Sequence, residues 1–293
     1  MYFMQVLISG LMLGGIYAMV SMGLTMIFGV VRVINFAHGE FLMVAMFLVY
    51  WVNVLFGMDP YVSVIITVPV FFLFGALVQR IMIQPILAAP ATVKIFSTLG
   101  LGFMLSNLAL MLWSADYRSI KVSYSTAVIN ISDLSISIPR LIAFLAALLV
   151  AVVMYALLYK TDIGKQIRAV SQNRQAALLM GINVKRIYVI AFGIGSALVG
   201  LAGSLLMPMY FVYPSIGALF GLIAFVVVVL GGLGNMFGAF LGGLLIGLIE
   251  ALAGAFIDPA LKEAVYFIIF ILILLWKPSG LISLGRGSEE VGL

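Results

Sequence analysis

Polar and ionisable side chains are rare in this sequence, so the few that interrupt apolar stretches are the first candidates for chemistry. Only 9% of the residues are charged and 65% are hydrophobic. Asn35, His38 and Glu40 place an amide, an imidazole and a carboxylate close together, and Glu250 stands alone in an apolar segment. Inside a membrane, groups of this kind bind a polar ligand, relay protons or hydrogen-bond another helix.

The residue types needed for several classes of catalysis are missing. There is no cysteine and a single histidine, His38, which excludes disulfides, thiolate metal sites and multi-histidine metal centres. Gly164 and Lys165 precede Gln166 instead of Ser or Thr, so they do not form a phosphate-binding loop. No nucleophile with a neighbouring base can be recognised. We therefore predict no catalytic site, no metal and no cofactor, and any ATP that drives this protein is hydrolysed by another chain.

The composition requires an apolar solvent for most of the chain. A mean hydropathy of +1.29, with far fewer charges than a soluble domain carries, predicts a polytopic protein of the lipid bilayer. The net charge of +5 comes from 15 Lys and Arg that are scattered between apolar runs. That pattern is typical of membrane-protein loops, so we expect no nucleic-acid partner.

Apolar runs that fit membrane helices follow one another along the chain. A crossing helix needs about 20 residues, and five charge-free stretches each hold one. A sixth, residues 187–249, is too long for a single crossing. We predict three helices there, at about 187–207, 218–232 and 236–256. A further segment at about 262–277 completes an all-α bundle of eight or nine spans, forming a single domain over residues 1–293.

The distribution of basic residues sets the orientation, because cytoplasmic loops collect Lys and Arg. Alternating the helices gives one side eleven of the 15 basic residues, namely Arg32, Arg80, Lys94, Lys160, Lys165, Arg168, Arg174, Lys185, Arg186, Lys277 and Arg286. The other side receives Arg118, Lys121, Arg140 and Lys262. The first side is therefore predicted to be cytoplasmic. Nine helices place the N-terminal end outside, and eight place it inside.

Two loops are long enough to have structure of their own. The outer loop, residues 114–140, alternates polar and β-branched residues and predicts a short strand or hairpin over the outer face. The cytoplasmic loop, residues 160–187, is rich in basic residues and is the best candidate for contact with a cytosolic partner. A solvated positive-inside connection is the alternative.

Local signals divide the cytoplasmic loop into two short helices. Thr161 or Asp162 is suited to cap the first helix, Asn173 caps the second, and Gly181 ends the second in the left-handed conformation. Three residues at helical spacing give the second helix an apolar face, namely Ala176, Leu179 and Met180.

Four strings in the chain have the character of a family signature. The cytoplasmic loop reads Gly164-x-x-Ile-Arg-Ala-x-x-x-Asn-x-x-Ala-Ala-x-x-x-Gly-Ile-Asn-Val. Residues 29–40 read Gly-Val-Val-Arg-Val-Ile-Asn-Phe-Ala-His-Gly-Glu, and residues 231–243 read Gly-Gly-Leu-Gly-Asn-Met-Phe-Gly-Ala-Phe-Leu-Gly-Gly. Residues 277–282 read Lys-Pro-Ser-Gly-Leu-Ile. Over nearly the whole chain, these strings resemble the first permease subunit of the branched-chain (hydrophobic) amino-acid ABC importer family.

The resemblance implies a type II-like ABC importer permease in the bacterial inner membrane, working by alternating access. Such a subunit pairs with a second related permease as a heterodimer around the pathway. Two cytosolic ABC ATPases dock on the coupling loops, and an extracytoplasmic binding protein delivers the substrate. Known members import leucine, isoleucine and valine, and close relatives import urea or short amides, so both substrate classes stay open.

The resemblance also assigns ATPase coupling to six residues, Gly164, Arg168, Asn173, Ala176, Ala177 and Gly181. The small side chains of Ala176 and Ala177 would let the second short helix sit deep in a groove of the ATPase. Arg168 and Arg174 would stay at the rim of that groove, where single charges contribute little.

Two interpretations remain for the polar residues near the membrane. Asn35, His38 and Glu40 either cap a helix junction close to cytoplasmic water or line the translocation path at a break in a helix. Glu250 must face the bundle, since a lipid-facing carboxylate is costly. A structural hydrogen bond is favoured for Glu250 over a role as partner of a substrate ammonium group.

Aromatic and small residues complete the candidate sites. The substrate path is expected to be lined by small and aromatic side chains, with helix N-termini suited to a carboxylate. Tyr210 and Tyr213 either form an outer gate or belong to an aromatic belt at the interface. Gly234, Gly238 and Gly242 recur every four residues and predict a helix-packing face, internal by preference and otherwise a subunit interface.

Rival function classes make different demands on the sequence. A secondary transporter or channel usually carries an ionisable residue deep in the membrane or a ring of charges, and only Glu250 qualifies. An intramembrane hydrolase is disfavoured because no nucleophile accompanies His38. The sequence therefore predicts a non-catalytic permease.

Overall fold

The computed structural model describes residues 2–131 and 134–281. Within them lie eleven α-helices: α1 Tyr2–Val31, α2 His38–Phe56, α3 Val64–Val78, α4 Ala91–Trp113, α5 Ile138–Lys160, α6 Asp162–Gln172, α7 Arg174–Leu179, α8 Val184–Leu206, α9 Ile216–Gly231, α10 Met236–Phe256 and α11 Lys262–Trp276. A π-helical turn and a 3₁₀ turn prolong α3 to Ile86. Arg286 and the end of the 277–282 string lie outside the described residues.

The predicted helical membrane bundle is confirmed. Seven helices in the described part are long and apolar enough to cross a membrane, namely α1, prolonged α3, α2, α4, α5, α8 and α10. The helices α9 and α11 are shorter, with 16 and 15 residues. The division of residues 187–249 into three helices is also confirmed, with α9 starting two residues before the predicted position.

The bundle is built around α1 and α8, which bury most of their residues. In contrast, α3, α4 and α5 expose large apolar side chains such as Ile65, Phe103 and Val152. In a membrane, apolar side chains on the outer face of a helical bundle contact lipid, and the buried residues pack against one another. The substantially exposed apolar helices therefore form the outside of the bundle.

Close helix packing in the core depends on glycine. A Cβ added at Gly238 would overlap Gly231 of α9, and one at Gly242 would lie 2.9 Å from the carbonyl oxygen of Val227. A Cβ at Gly247 would overlap the backbone of Gly14 in α1. The predicted glycine face is therefore an internal packing face, and α10 uses two different faces to contact α9 and α1.

Both ends of α1 are tied to other parts of the chain. At the outer end, the Gln5 amide donates to the Ser135 carbonyl at 2.6 Å and accepts from the Ser135 N–H at 3.0 Å. At the other end, Arg32 Nη2 donates to the carbonyl of Ser171 in α6 at 3.2 Å. The outer loop and the cytoplasmic loop therefore lie at opposite ends of α1.

The outer loop contains the predicted hairpin. Strands β1 Val128–Ile131 and β2 Leu134–Ser137 pair antiparallel. Before the hairpin, the hydroxyl of Tyr124 donates to Asp59 Oδ2 at 2.7 Å, and its ring stacks on Tyr61 with 4.9 Å between centroids. Burial and then the Asp59 carboxylate raise the pKa of Tyr61 to about 12, and burial together with the hydrogen bond to Asp59 raises the pKa of Tyr124 well above its usual range.

Candidate translocation path and coupling segment

Residues 32–37 form an irregular stretch inside the bundle. After α1 ends at Val31, the chain turns back, and α2 starts beside the middle of α1, where His38 Nε2 lies 3.0 Å from the carbonyl oxygen of Val20. Val20 is eleven residues before the end of α1, or about 16 Å along its axis. The hydroxyl of Thr98 in α4 donates to the Ile34 carbonyl at 3.2 Å. Non-helical backbone is tolerated at such depth where protein or a cavity surrounds it.

Asn35 in this stretch and His38 and Glu40 at the start of α2 are more deeply buried than a capped junction close to cytoplasmic water, one of the two expectations, requires. Asn35 and His38 are each 1% exposed, so they are not at a watery interface. The residue before α2 is Ala37, which offers no side-chain cap. Asn35 instead accepts from the Ala37 N–H at 3.2 Å, and Glu40 is half-buried. The expected nearness to water does not fit this burial, whereas Asn35 and Glu40 do accept from backbone N–H groups at the start of α2.

The start of α2 meets the start of α9. A Cβ at Gly39 would overlap the Gly217 carbonyl and would lie 2.7 Å from the backbone of Gly221. A Cβ at Gly217 would in turn lie 2.9 Å from the backbone of Glu40. With side chains absent at the crossing, the two helix starts touch through their backbones.

A cavity of about 190 Å³ opens beside this crossing. Its wall combines polar and apolar residues from α1, the irregular stretch, α2 and α9, namely Leu24, Ile34, Asn35, Phe36, His38, Glu40, Ala218, Gly221, Leu222 and Phe225. The exposed side chains of Ala218 and Leu222 place its mouth at the surface of this chain. The three polar residues singled out in the sequence are thus brought into one site.

Glu250 lies in a second cluster, nearer the outer side. It is 6% exposed, accepts a hydrogen bond of 2.6 Å from the Tyr17 hydroxyl and pairs with Lys262 Nζ at 2.7 Å. The prediction that Glu250 faces the bundle is confirmed. A small cavity of about 70 Å³ beside it also has Tyr210 and Tyr266 in its wall.

The two tyrosines of the expected outer gate are separated in the structure. Tyr210 contacts Phe220 edge to face, with 5.5 Å between ring centroids, beside the Glu250 cluster. Tyr213 packs on Tyr117 of the outer loop at 4.5 Å. Tyr210 is therefore the one that lies on the inner side of the 207–215 connection, and Tyr213 holds the outer loop.

The cytoplasmic loop is anchored on α5. Thr161 accepts from the Gly164 N–H at 3.0 Å and caps α6, and a Cβ at Gly164 would overlap the Leu157 carbonyl. Arg168 donates to the Leu158 carbonyl at 3.1 Å, and its guanidinium lies 4.6 Å from the centre of the Tyr159 ring. Arg168 is thus bound to its own chain and does not stand at a free rim.

The short helix α7 has the predicted ends. Asn173 accepts from the Ala176 N–H at 3.0 Å, and Gly181 has a φ of 79°. The placement of Ala177 is different from the expectation, since it is 3% exposed and faces the protein. After the exposed polar Arg174 and Gln175, the C-terminal part of α7 and its C-cap expose apolar side chains, with Leu178, Leu179 and Met180 at 52%, 89% and 82% exposure. Together these three residues form the apolar tip.

Residues 6–274 match the family described as the permease component of the branched-chain amino acid transport system. The chain belongs to this family. It is accordingly a multi-pass permease subunit of an ABC transporter in the inner membrane, and such a subunit works with ATPase and binding-protein partners.

Three relatives of the permease align over almost its full length. It is 30% identical to the high-affinity branched-chain amino acid permease LivH of Escherichia coli, covering 99% of this chain and 98% of the relative. It is also 30% identical to BraD of Pseudomonas aeruginosa, with the same coverage. A probable LivH of Methanocaldococcus jannaschii is 28% identical over 94% of this chain and 91% of the relative. No solved structure matched the permease.

Sequence reasoning missed several residues of these sites. The partners of Glu250, Tyr17 and Lys262, are 233 and 12 residues away in sequence, and only Lys262 gave a signal, as a lone cation at a predicted outer end. Phe36 and Phe225 line the cavity of the permease, and their rings stack at 5.8 Å. Phe36 lies within the family string, but one aromatic residue in an apolar chain is not informative by itself.

Proposed function

We propose that the permease translocates branched-chain amino acids through a pathway that it forms with a second, related permease. Two cytosolic ATPases power the movement, and an extracytoplasmic binding protein delivers the substrate to the outer face. The observation that carries this proposal is the alignment of 99% of the chain with relatives whose names state this substrate class.

The position of the cavity supports a pathway between two permeases. Its mouth lies at exposed Ala218 and Leu222 on the outside of this chain. A partner permease on that side would close the cavity and place it between the two subunits. Substrate would then pass along α2 and α9, whose backbone contact at Gly39 and Gly217 makes the opening sensitive to small helix movements.

The apolar tip supports ATPase docking on the cytoplasmic loop. Exposed apolar side chains on a polar surface are typical of a protein interface. Leu178, Leu179 and Met180 project from a loop that also exposes polar and charged residues, among them Arg174 and Lys185. The hydrogen bond from Arg32 to Ser171 connects α6 with α1. Movement of an ATPase would therefore reach α1 directly.

Uptake by the assembled transporter tests the substrate. Proteoliposomes contain both permeases and the ATPases, with ATP on the side of the membrane that carries the ATPases. The binding protein is added on the opposite side, together with radiolabelled leucine or, in parallel, radiolabelled urea. We expect ATP-dependent leucine uptake and no urea uptake. Urea uptake without leucine uptake would instead assign the permease to an amide importer, and uptake of either without ATPases would indicate a secondary transporter.

A further inference from the structure

The cavity beside α2 and α9 contains buried polar atoms that the described residues leave unpaired. Asn35 uses its Oδ1 to accept from Ala37, but its Nδ2 has no partner in the described part of the chain. His38 uses its Nε2 toward the Val20 carbonyl, and its Nδ1 likewise finds no partner among these residues. Buried polar groups are normally hydrogen-bonded. Two unpaired atoms on residues of one cavity wall therefore point to a polar ligand.

The two atoms have opposite hydrogen-bonding character. The Asn35 Nδ2 group can only donate. A carbonyl oxygen can only accept, so His38 Nε2 carries the proton in its bond to Val20, and Nδ1 of the neutral ring is an acceptor. The half-buried carboxylate of Glu40 adds a second acceptor to the same wall. The cavity thus offers donors and acceptors at different places.

The start of α9 strengthens the donor side. Ser215 precedes this helix without a side-chain cap. The Ile216 N–H is bonded to the Tyr213 carbonyl at 3.1 Å, and Ala218, which follows in the uncapped first turn, lies in the cavity wall. Helix N-termini attract anionic groups such as carboxylates. The apolar part of the wall is supplied by Phe36, Leu222 and Phe225.

We propose that this cavity is a zwitterion-binding site for the transported amino acid, an inference that rests on the proposed function. The substrate carboxylate binds the Asn35 amide and the first turn of α9. The substrate ammonium group binds Glu40 and His38 Nδ1. The aliphatic side chain packs on the aromatic and aliphatic part of the wall, so a single site recognises all three parts of a branched-chain amino acid.

Two conservative variants test the polar contacts in the assembled transporter. Glu40→Gln keeps the shape of the side chain and removes the negative charge. Asn35→Asp keeps the oxygen that accepts from Ala37 and replaces only the free donor with an acceptor. We expect each change to reduce the rate of leucine uptake at least about tenfold, because hydrogen bonds to charged groups are lost or reversed. Glu40→Asp should restore part of the rate.

Matched controls are available elsewhere in the chain. Asp258→Asn removes an exposed carboxylate from the outer connection, and Asn107→Ala removes an exposed amide from α4. Both controls should transport leucine at the normal rate. If the wild type transports leucine and both cavity variants stay within twofold of it, the zwitterion site is wrong while the proposed function stands. If the wild type transports no leucine, the proposed function itself fails.

A labelling experiment tests the site without measuring uptake. The permease has no cysteine, so Leu222→Cys places a single thiol at the mouth of the cavity, and Leu261→Cys places one on the exposed outer connection. In the assembled transporter without leucine, a maleimide should label Leu222→Cys through the pathway between the two permeases. Leucine should slow this labelling severalfold and leave the labelling of Leu261→Cys unchanged. Labelling of Leu222→Cys that proceeds at the same rate with and without leucine would overturn the proposal even if the polar variants fail to assemble.

Discussion

The ammonium group of Lys262 lies 2.7 Å from the carboxylate of Glu250 and joins the start of α11 to the interior of α10. Because Lys262 is 41% exposed, it can turn to water if the carboxylate is lost. Glu250→Gln keeps an oxygen for the Tyr17 hydroxyl, so we expect uptake within about twofold of the wild type and a loss of stability of about 1 kcal/mol or less. Thermal unfolding of the purified transporter and leucine uptake measure the two effects.

Glu250→Leu is the matched comparison for this prediction. It removes the acceptor of the buried Tyr17 hydroxyl as well as the ion pair, and it should cost about 1–3 kcal/mol. If Glu250→Gln assembles normally but uptake collapses, the carboxylate has a charge-dependent role in transport and the structural interpretation is wrong.

Tyr210 is expected to control the outer entrance. Its ring packs on Phe220 at the start of α9, so Tyr210→Ala should widen the small cavity beside Glu250 and lower leucine uptake severalfold. Tyr213→Ala should have a smaller effect, since Tyr213 contacts the outer loop through Tyr117. The exposed Tyr155 of α5 gives the control variant Tyr155→Ala. Normal uptake by both Tyr210→Ala and Tyr213→Ala would show that neither tyrosine gates the path.

The apolar tip is expected to bind the ATPase. Leu179 is 89% exposed, so Leu179→Asp should leave the permease folded in the membrane while abolishing co-purification of the ATPase. Arg174→Ala should be nearly silent, because its guanidinium contacts only the Tyr188 ring among the described aromatic residues, at 6.0 Å. Undiminished co-purification with Leu179→Asp would mean that the loop is a solvated connection.

The neighbouring alanines separate docking from internal packing. Ala177 is buried, so Ala177→Leu should overpack the loop at a cost of about 1–3 kcal/mol and increase hydrogen exchange of α7 even without ATPases. Ala176 is exposed, and Ala176→Leu should leave exchange of the free permease unchanged. An identical exchange pattern in both variants would contradict the inward placement of Ala177.

How far the sequence can predict this molecule depends on the range of the interactions involved. The helices, the Asn173 cap and the left-handed Gly181 follow from local apolar length and capping chemistry, and each is found in the structure. The depth at which α2 starts could not be derived, since the contact of His38 with Val20 is tertiary. On a helix as short as α7, spacing alone does not decide which of Ala176 and Ala177 faces inward. The burial of Glu250 was predictable from energetics, but its partners were not.

Two glycines of α10 should respond differently to the same substitution. Gly247 packs against Gly14 of α1, whereas a Cβ at Gly254 would meet no atom within 4 Å. Gly247→Ala should therefore destabilise the permease by about 1–3 kcal/mol, and Gly254→Ala should be neutral or slightly stabilising. Unfolding of the two purified variants by heat compares them directly, and equal midpoints would contradict the close approach of α1 and α10.

The cluster of Asp59, Tyr61 and Tyr124 should make the outer loop sensitive to alkali. The pKa of Tyr61 is raised to about 12 and that of Tyr124 is also raised, compared with about 10 for an unperturbed tyrosine. The native state therefore holds the phenolic protons more tightly, and their stabilisation is complete below pH 10 and is lost as the pH rises through 12. Thermal midpoints of the wild type and Tyr124→Phe should differ by a constant amount below pH 10 and converge above it; a difference that grows with pH would contradict this assignment.

The attachments at the two ends of α1 allow this helix to transmit force along its axis. Gln5 holds the hairpin outside, and Arg32 holds α6 inside, across 30 residues of continuous helix, or about 45 Å. A helix resists extension, so an axial pull at one end arrives at the other. The start of α2 contacts the same helix, because His38 lies against the carbonyl of Val20. Docking of a binding protein outside and closure of the ATPases inside would therefore both act on α1. The cavity beside the middle of this helix would be affected by both movements.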